Sequence, residues 1–263
     1  MSHLVSTIDD RGVATLTLNR PEVHNAFDDR MIADLTARLA EFEHDPAVRV
    51  VILTGAGKSL SAGADLKWMR RMANYDQQAN LEDALRLAEL MRALDALGKP
   101  TIARINGAAY GGGVGLVACC DIAIAVATAH FMFSEVRLGL VPAVISPFVI
   151  AAIGVRAARR FMLTAESIDA HKAKALGLVH EVTDSIEDMD RTIERQVGLL
   201  LDAGPVALRA CKELITEVRT GNALSDALNL HTAETIAALR VSPEGQEGIA
   251  AFLDRRPASW RQH

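Results

Sequence analysis

Apolar and polar residues alternate over residues 4–8 and again over 13–18, with Asp9-Asp10-Arg11-Gly12 between them. Two period-two runs around a turn-forming stretch predict a β-hairpin, and Arg20-Pro21 ends it. From Asp28 the period changes. Ile32, Leu35, Leu39 and Phe42 fall on one face of a helix that Asp28 is placed to cap. Residues 48–53, 101–105 and 121–125 are largely apolar runs, the pattern of strands buried on both faces, and 131–133 is a short fourth. A glycine-rich loop over 55–63 leads into a short helix at 66–72 and a longer one at 81–97. Asn106-Gly107 ends the second buried strand, and Gly111-Gly112-Gly113 opens an apolar helix.

Strands alternating with helices imply crossover connections and a parallel sheet, so the fold class is α/β. After Leu140 the pattern is helical, with segments expected at 146–153, 155–163, 170–176, 186–201, 205–219, 223–239 and 243–253. Ala203-Gly204-Pro205 is the best break. It divides the chain into a core at 1–203 and a C-terminal helical lobe at 204–263. No internal repeat or low-complexity segment occurs.

Composition narrows the function. The 263 residues are 50% hydrophobic and carry a formal net charge of -5, which argues against a nucleic-acid partner, as does an aromatic content of 4%. No apolar run approaches about 20 residues, so no membrane span is expected. The start of the chain lacks a basic stretch followed by an apolar one, so no signal peptide is expected. Three cysteines suit a reducing cytoplasm better than a disulfide framework, and Cys119 and Cys120 read as core.

Several motifs fail on inspection. Gly55-Ala56-Gly57-Lys58-Ser59 resembles the end of a phosphate-binding loop, but Ile52 stands where its first glycine is required. Gly113-Val114-Gly115 begins eight residues after the preceding strand rather than at its end, which argues against dinucleotide binding. There is no Gly-x-Ser-x-Gly elbow, and the eight histidines lack metal-ligand spacing, so no metal is expected.

Three segments fit one chemistry: Ser61-Ala62-Gly63-Ala64-Asp65-Leu66-Lys67, Asn106-Gly107-Ala108-Ala109-Tyr110-Gly111-Gly112-Gly113, and Phe133-Ser134-Glu135-Val136. The first two are helix starts built from small residues. Such starts leave free amide donors, carry partial positive charge and let a ligand approach the backbone. Together they suit a carbonyl oxygen that becomes an enolate, or they serve tight packing alone.

These segments, with Arg20-Pro21-Glu22-Val23-His24-Asn25-Ala26, resemble the crotonase superfamily of enoyl-CoA hydratases and isomerases, in order and over nearly the whole chain. The resemblance implies a spiral of ββα turns with a helical C-terminal lobe that covers the site and assembles a homotrimer or a dimer of trimers. It implies an acyl-CoA thioester substrate, coenzyme A being part of that substrate and not a separate cofactor. Ala64 and Gly112 match the two amide donors of the oxyanion hole, and Glu135 matches a catalytic glutamate. Val23, Ala26, Ala62, Asp65, Leu66, Lys67 and Gly111 match the segments around CoA and the acyl group.

Two departures matter. Gly115 stands where typical hydratases carry their first catalytic glutamate, and Pro142-Ala143-Val144-Ile145-Ser146 replaces a glycine-rich run. The expected activity is hydration of a 2-enoyl-CoA. The alternatives are double-bond isomerisation by the single Glu135, or a non-catalytic CoA- or RNA-binding relative. Trp68-Met69-Arg70-Arg71 and Gly113-Val114-Gly115-Leu116-Val117 resemble a bacterial branch acting on branched, carboxylated enoyl-CoAs, such as methylglutaconyl-CoA of leucine breakdown or carboxygeranoyl-CoA. On that reading Gly115 makes room for a bulkier acyl group.

Overall fold

The computed structural model describes residues 2–220 and 225–261. The N-terminal hairpin forms as expected: β1 (Leu4–Ile8) and β2 (Val13–Leu18) pair antiparallel, with Leu4 opposite Leu18. Asp28 caps α1 (Asp29–His44), its carboxylate accepting the Met31 N–H at 2.8 Å. The apolar stripe Ile32, Leu35, Leu39 and Phe42 is buried, so the period read from the sequence is the period of the packed face.

Residues 50–164 repeat one unit three times. The first turn is β3 (Val50–Gly55), β4 (Ser59–Ser61), α2 (Leu66–Met72) and α3 (Gln77–Asp95). The second is β5 (Thr101–Ile105), β6 (Ala108–Tyr110) and α4 (Gly112–Cys119). The third is β7 (Ile122–Val126), β8 (His130–Met132), a 3-10 turn at Glu135–Leu138, and α5 (Ser146–Thr164). Each turn gives its long strand to one sheet and its short strand to another, which makes the chain a spiral of ββα turns.

β9 (Ile168–Asp169), α6 (Ala170–Leu176), β10 (Glu181–Thr183) and α7 (Ile186–Leu201) complete the two sheets and their cover. The larger sheet has the order β1-β2-β3-β5-β7-β10 and is parallel from β2 onward. The smaller has the order β4-β6-β8-β9, with β4, β6 and β8 parallel. The strands of the larger sheet are apolar on both faces because α1, α3 and α4 pack over one side and α7 over the other.

The sequence reading needs correction in places. β4 falls in the stretch expected as a glycine-rich loop, and β6 in the stretch read as a helix start. The third long strand runs one residue later than expected, and α3 starts at Gln77, capped by Asp76. The break expected between 153 and 155 is a kink inside α5 at Gly154 (φ 74°, ψ 158°), a left-handed position that glycine adopts without strain.

The C-terminal helices are α8 (Pro205–Thr220), α9 (Asp226–Val241) and α10 (Pro243–Leu253). The start expected for α9 at Ala223 lies outside the described residues. α8 is fastened to the spiral by Arg209–Glu43 (2.6 Å) and Lys212–Asp121 (2.7 Å). The Glu244 carboxylate of α10 accepts the N–H groups of Val206 and Ala207 at the start of α8. Cys119 and Cys120 are buried, and burial pushes the Cys120 thiol up to about 12, consistent with a core role for both. Among the described residues no helix is long and apolar enough to cross a membrane.

Candidate active site

β4, β6 and β8 end at the same edge of the smaller sheet because they are parallel neighbours, with Ser61 beside Ala109 and Tyr110 beside Met132. The residues that follow them, Ala62–Asp65, Gly111–Gly112 and Ser134–Glu135, are therefore brought together although about 70 positions separate the first from the last. The three segments picked out in the sequence meet for this topological reason.

Ala64 is held by a single parallel bridge to Phe27. The Phe27 N–H donates to Gly63 O at 2.6 Å, and the Asp65 N–H donates to Phe27 O at 2.7 Å. The groups on either side of Ala64 turn toward Phe27, so the Ala64 N–H faces the other way, and it donates to no group among the described residues. Gly63 lies at φ 86°, and a β-carbon there would stand 3.1 Å from Tyr110 O. Glycine thus allows the first segment to lie directly against the second.

Gly111 (φ 49°) donates to Met132 O at 2.9 Å and turns the chain into α4. The Gly112 N–H is the first of that helix. It is free for the reason any first-turn amide is free, and it donates to no group among the described residues.

Glu135 is half-buried on the 3-10 turn, above the fully buried Phe131 and Phe133. Its carboxylate abuts Gly111, since a β-carbon on Gly111 would lie 3.0 Å from Glu135 Oε1. Burial raises the Glu135 carboxyl above the usual glutamate range, opposed by its own backbone N–H. Glu135 Oε2 is buried without a hydrogen-bond partner. A carboxylate that is desolvated and free of counter-ions is suited to holding and releasing a proton.

Ala62, Ala64, Leu66, Gly111, Gly112 and Glu135 all line one cavity of about 540 Å³. Met69 and Met72 of α2, Leu87 of α3, and Leu140 to Ile145 complete a mostly apolar wall. Its polar exceptions include Asn80 and Asp83 on α3, neither foreseen from sequence. Their positions, spaced by three on an otherwise amphipathic helix, were the available signal.

Val23, Ala26, Asp65 and Lys67 lie outside this lining. Ala26 is buried, and its carbonyl accepts from Arg20 at 2.8 Å. The Asp65 carboxylate caps α2, accepting the N–H groups of Lys67 (2.7 Å) and Trp68 (3.2 Å), and pairs with Arg20 at 2.7 Å. Burial alone would raise the Asp65 carboxyl. The Trp68 N–H and then Arg20 outweigh that and hold it below the usual range. Arg20 also meets Asp28, the cap of α1, at 3.1 Å. The Arg20-Asp65 pair therefore positions the Ala64 segment.

Gly115 requires a correction. It was expected to leave room for a bulky acyl group. It is instead buried in α4, where a β-carbon would stand 2.3 Å from Cγ2 of Ile145 and 3.1 Å from Cε of Met91. The space a glutamate would take is filled by protein, and it is Ile145 rather than residue 115 that faces the cavity.

Two unengaged amides and one desolvated carboxyl group thus surround an apolar cavity in a protein of the spiral ββα class. Residues 9–263 match the family Enoyl-CoA hydratase/isomerase, and the chain belongs to that family, whose members act on acyl-CoA thioesters. It is similar to an enoyl-CoA hydratase from Shewanella pealeana ATCC 700345, with 45% identity, 98% of this chain and 96% of that chain covered, and a TM-score of 0.95. It is 36% identical to enoyl-CoA hydratase AKT6-1 of Alternaria alternata, over 97% of this chain and 83% of that protein. It is 33% identical to 2,3-dehydroadipyl-CoA hydratase of Escherichia coli, over 99% of both chains.

Proposed function

We propose that the protein is an enoyl-CoA hydratase in which the Ala64 and Gly112 amides receive the thioester oxygen and Glu135 carries the proton. The observation that supports this is the Glu135 carboxylate set against Gly111, one residue from a free amide donor. In the reaction, water gives a proton to Glu135 as its oxygen bonds to C3. The π pair moves to the thioester oxygen, where two N–H donors stabilise the enolate. Glu135 then returns the proton to C2. Donors fixed in advance and aimed at a developing oxyanion are among the largest contributions an enzyme makes. Coenzyme A enters as part of the substrate, and the chemistry asks for no other cofactor.

The finer reading is a branched enoyl-CoA such as 3-methylglutaconyl-CoA. Its support is the resemblance at Trp68 to Arg71 and a roomy apolar cavity. Asp83 weighs against a distal carboxylate on the substrate, because it sets like charge in the wall, offset in part by Arg86 at 3.0 Å. The competing reading is an isomerase, favoured by the sealed position at Gly115, which leaves a single glutamate. A cytoplasmic homotrimer or dimer of trimers completes the proposal. Val241, Phe252 and Leu253 are 78%, 83% and 71% exposed, as residues buried between copies would be in an isolated chain.

The test is a panel of crotonyl-CoA, 3-methylcrotonyl-CoA, 3-methylglutaconyl-CoA and 3-enoyl-CoAs. Absorbance of the conjugated thioester and product mass are followed together. A hydratase bleaches the absorbance with gain of one water. Growth of absorbance from a 3-enoyl-CoA at constant mass identifies an isomerase.

A further inference from the structure

We propose that the Ser134 hydroxyl orients the attacking water beside Glu135, in place of the second carboxylate that the site lacks. The inference rests on the hydratase reading above. Ser134 is the N-cap residue of the 3-10 turn at Glu135–Leu138, a position where a serine hydroxyl ordinarily accepts a backbone N–H of the first turn. Here it makes no such bond, and the Ser134 carbonyl accepts the Arg137 N–H at 3.1 Å instead. The hydroxyl has no hydrogen-bond partner among the described residues, and unlike Glu135 Oε2 it is not closed to solvent. Ser134 is half-buried and lines the cavity, so a molecule bound there can reach a hydroxyl that the turn does not use.

The chain sets this hydroxyl beside the proton carrier. The Glu135 carboxylate folds back toward its own backbone N–H, which one peptide bond joins to Ser134. Hydroxyl and carboxylate therefore flank a single peptide unit. One water spans such a gap, since it reaches about 2.8 Å to a partner on each side. Glu135 Oε2 is buried without a partner, while Oε1 stands against Gly111 in the cavity wall. Oε1 is thus the oxygen that a water in the cavity meets. The other polar side chains of the wall do not offer the same contact. Trp68 Nε1 is closed to solvent. The Asn80 amide N–H group is engaged with the carbonyls of Tyr75 (3.2 Å) and Asp76 (3.1 Å), and Asp83 pairs with Arg86 at 3.0 Å. The acceptor oxygens of Asn80 and Asp83 belong to α3, not to the turn that carries Glu135. Position 115, where a second carboxylate would hold water, is sealed by Ile145.

In the reaction one hydrogen of the water points to Glu135 Oε1 and the other to the Ser134 oxygen. The first passes to Oε1 as the water oxygen bonds to C3 and the π pair moves to the thioester oxygen. The second stays on its oxygen, now the product hydroxyl, and keeps its bond to Ser134. Glu135 then returns its proton to C2. Ser134 gains and loses no proton, so its contribution is to orient the nucleophile.

Ser134→Ala separates orientation of the water from proton transfer. Hydration of crotonyl-CoA and 3-methylcrotonyl-CoA needs the oriented water. Exchange of the Cα hydrogens of butyryl-CoA in D2O needs Glu135 and the two amides only. The kcat for hydration is expected to fall about 10- to 100-fold, while KM and the exchange rate stay within about threefold. Ser134→Thr keeps the hydroxyl and should hydrate several-fold faster than Ser134→Ala. Unchanged hydration in Ser134→Ala, hydration and exchange falling together, or a threonine variant no faster than the alanine one overturns the proposal. Should Ser134→Ala misfold, Ser134→Cys keeps a similar shape and replaces the hydroxyl with a weaker acceptor, with the same outcomes. A wild-type protein that exchanges butyryl-CoA but hydrates no enoyl-CoA overturns the hydratase reading and this inference with it. Wild-type hydration that survives loss of the Ser134 hydroxyl overturns this inference alone.

Discussion

The ring of Phe27 closes against the α-carbon of Gly112. A β-carbon there would stand 2.7 Å from Phe27 Cε2, while the Phe27 backbone grips the chain on either side of Ala64. One residue thus ties both free amides together. Gly112→Ala must displace the ring and with it the Ala64 segment. Turnover should fall about 10² to 10³-fold, as for loss of one oxyanion donor. Phe27→Leu in the Gly112→Ala background should recover part of that loss. Gly112→Pro removes the N–H outright, and a folded Gly112→Pro protein with normal turnover would place the carbonyl elsewhere.

Glu135→Gln should lower turnover by about 10² to 10⁴-fold with acyl-CoA binding nearly intact. Retention of more than roughly a third of the activity would exclude Glu135 as the proton carrier, given the size of ordinary acid-base contributions.

The raised Glu135 carboxyl has a stability consequence whose sign is fixed. The folded state prefers the protonated form, so this group is most favourable below the unfolded glutamate value of about 4.3 and costs stability as pH rises through its folded value. Glu135→Gln should therefore raise Tm at neutral pH, with the gain shrinking toward pH 4. The acidic limb of kcat/KM should likewise lie above the ordinary glutamate range. A gain in Tm that does not change with pH would contradict the burial argument.

Gly115→Ala should destabilise the fold by about 1 to 3 kcal/mol, as overpacking a core typically does. Ile145→Ala in the same chain should cancel part of the cost, because the two sites share one space. Strict additivity in a thermal or urea melt would show that the contact is not energetic. Gly115→Glu should harm small and large substrates alike, since the side chain has no cavity to enter.

Asp83→Asn removes a carboxylate from the cavity wall and leaves its partner Arg86 unpaired. It should raise kcat/KM for 3-methylglutaconyl-CoA relative to 3-methylcrotonyl-CoA by about 3- to 10-fold if the acyl chain reaches α3. An unchanged ratio would put the distal end of the substrate away from Asp83.

Much of this was legible from sequence because long elements announce themselves. The stripe on α1, the Asp28 cap and the long strands β3, β5 and β7 follow from period and composition. β4 (Ser-Leu-Ser) and β6 (Ala-Ala-Tyr) were missed because three residues are too few to show a period, and pairing with neighbours alone defines them. The residues of the site were found as motifs, and their convergence is a property of the parallel order of the short strands. Gly115 misled because an absent side chain says nothing about what fills its space, and Ile145 lies 30 positions away.

Among the described residues, every one lining the cavity falls between Phe27 and Ile145. In genetic terms the chain has two halves that fail differently. Loss-of-function changes before position 146 include those that alter chemistry in a protein of normal abundance, and such alleles keep their fold and assembly. Among the described residues, those after position 146 place no side chain in the lining of this cavity. Changes there are expected to act through protein level or association, and to be suppressed by lower growth temperature or by stabilising substitutions elsewhere.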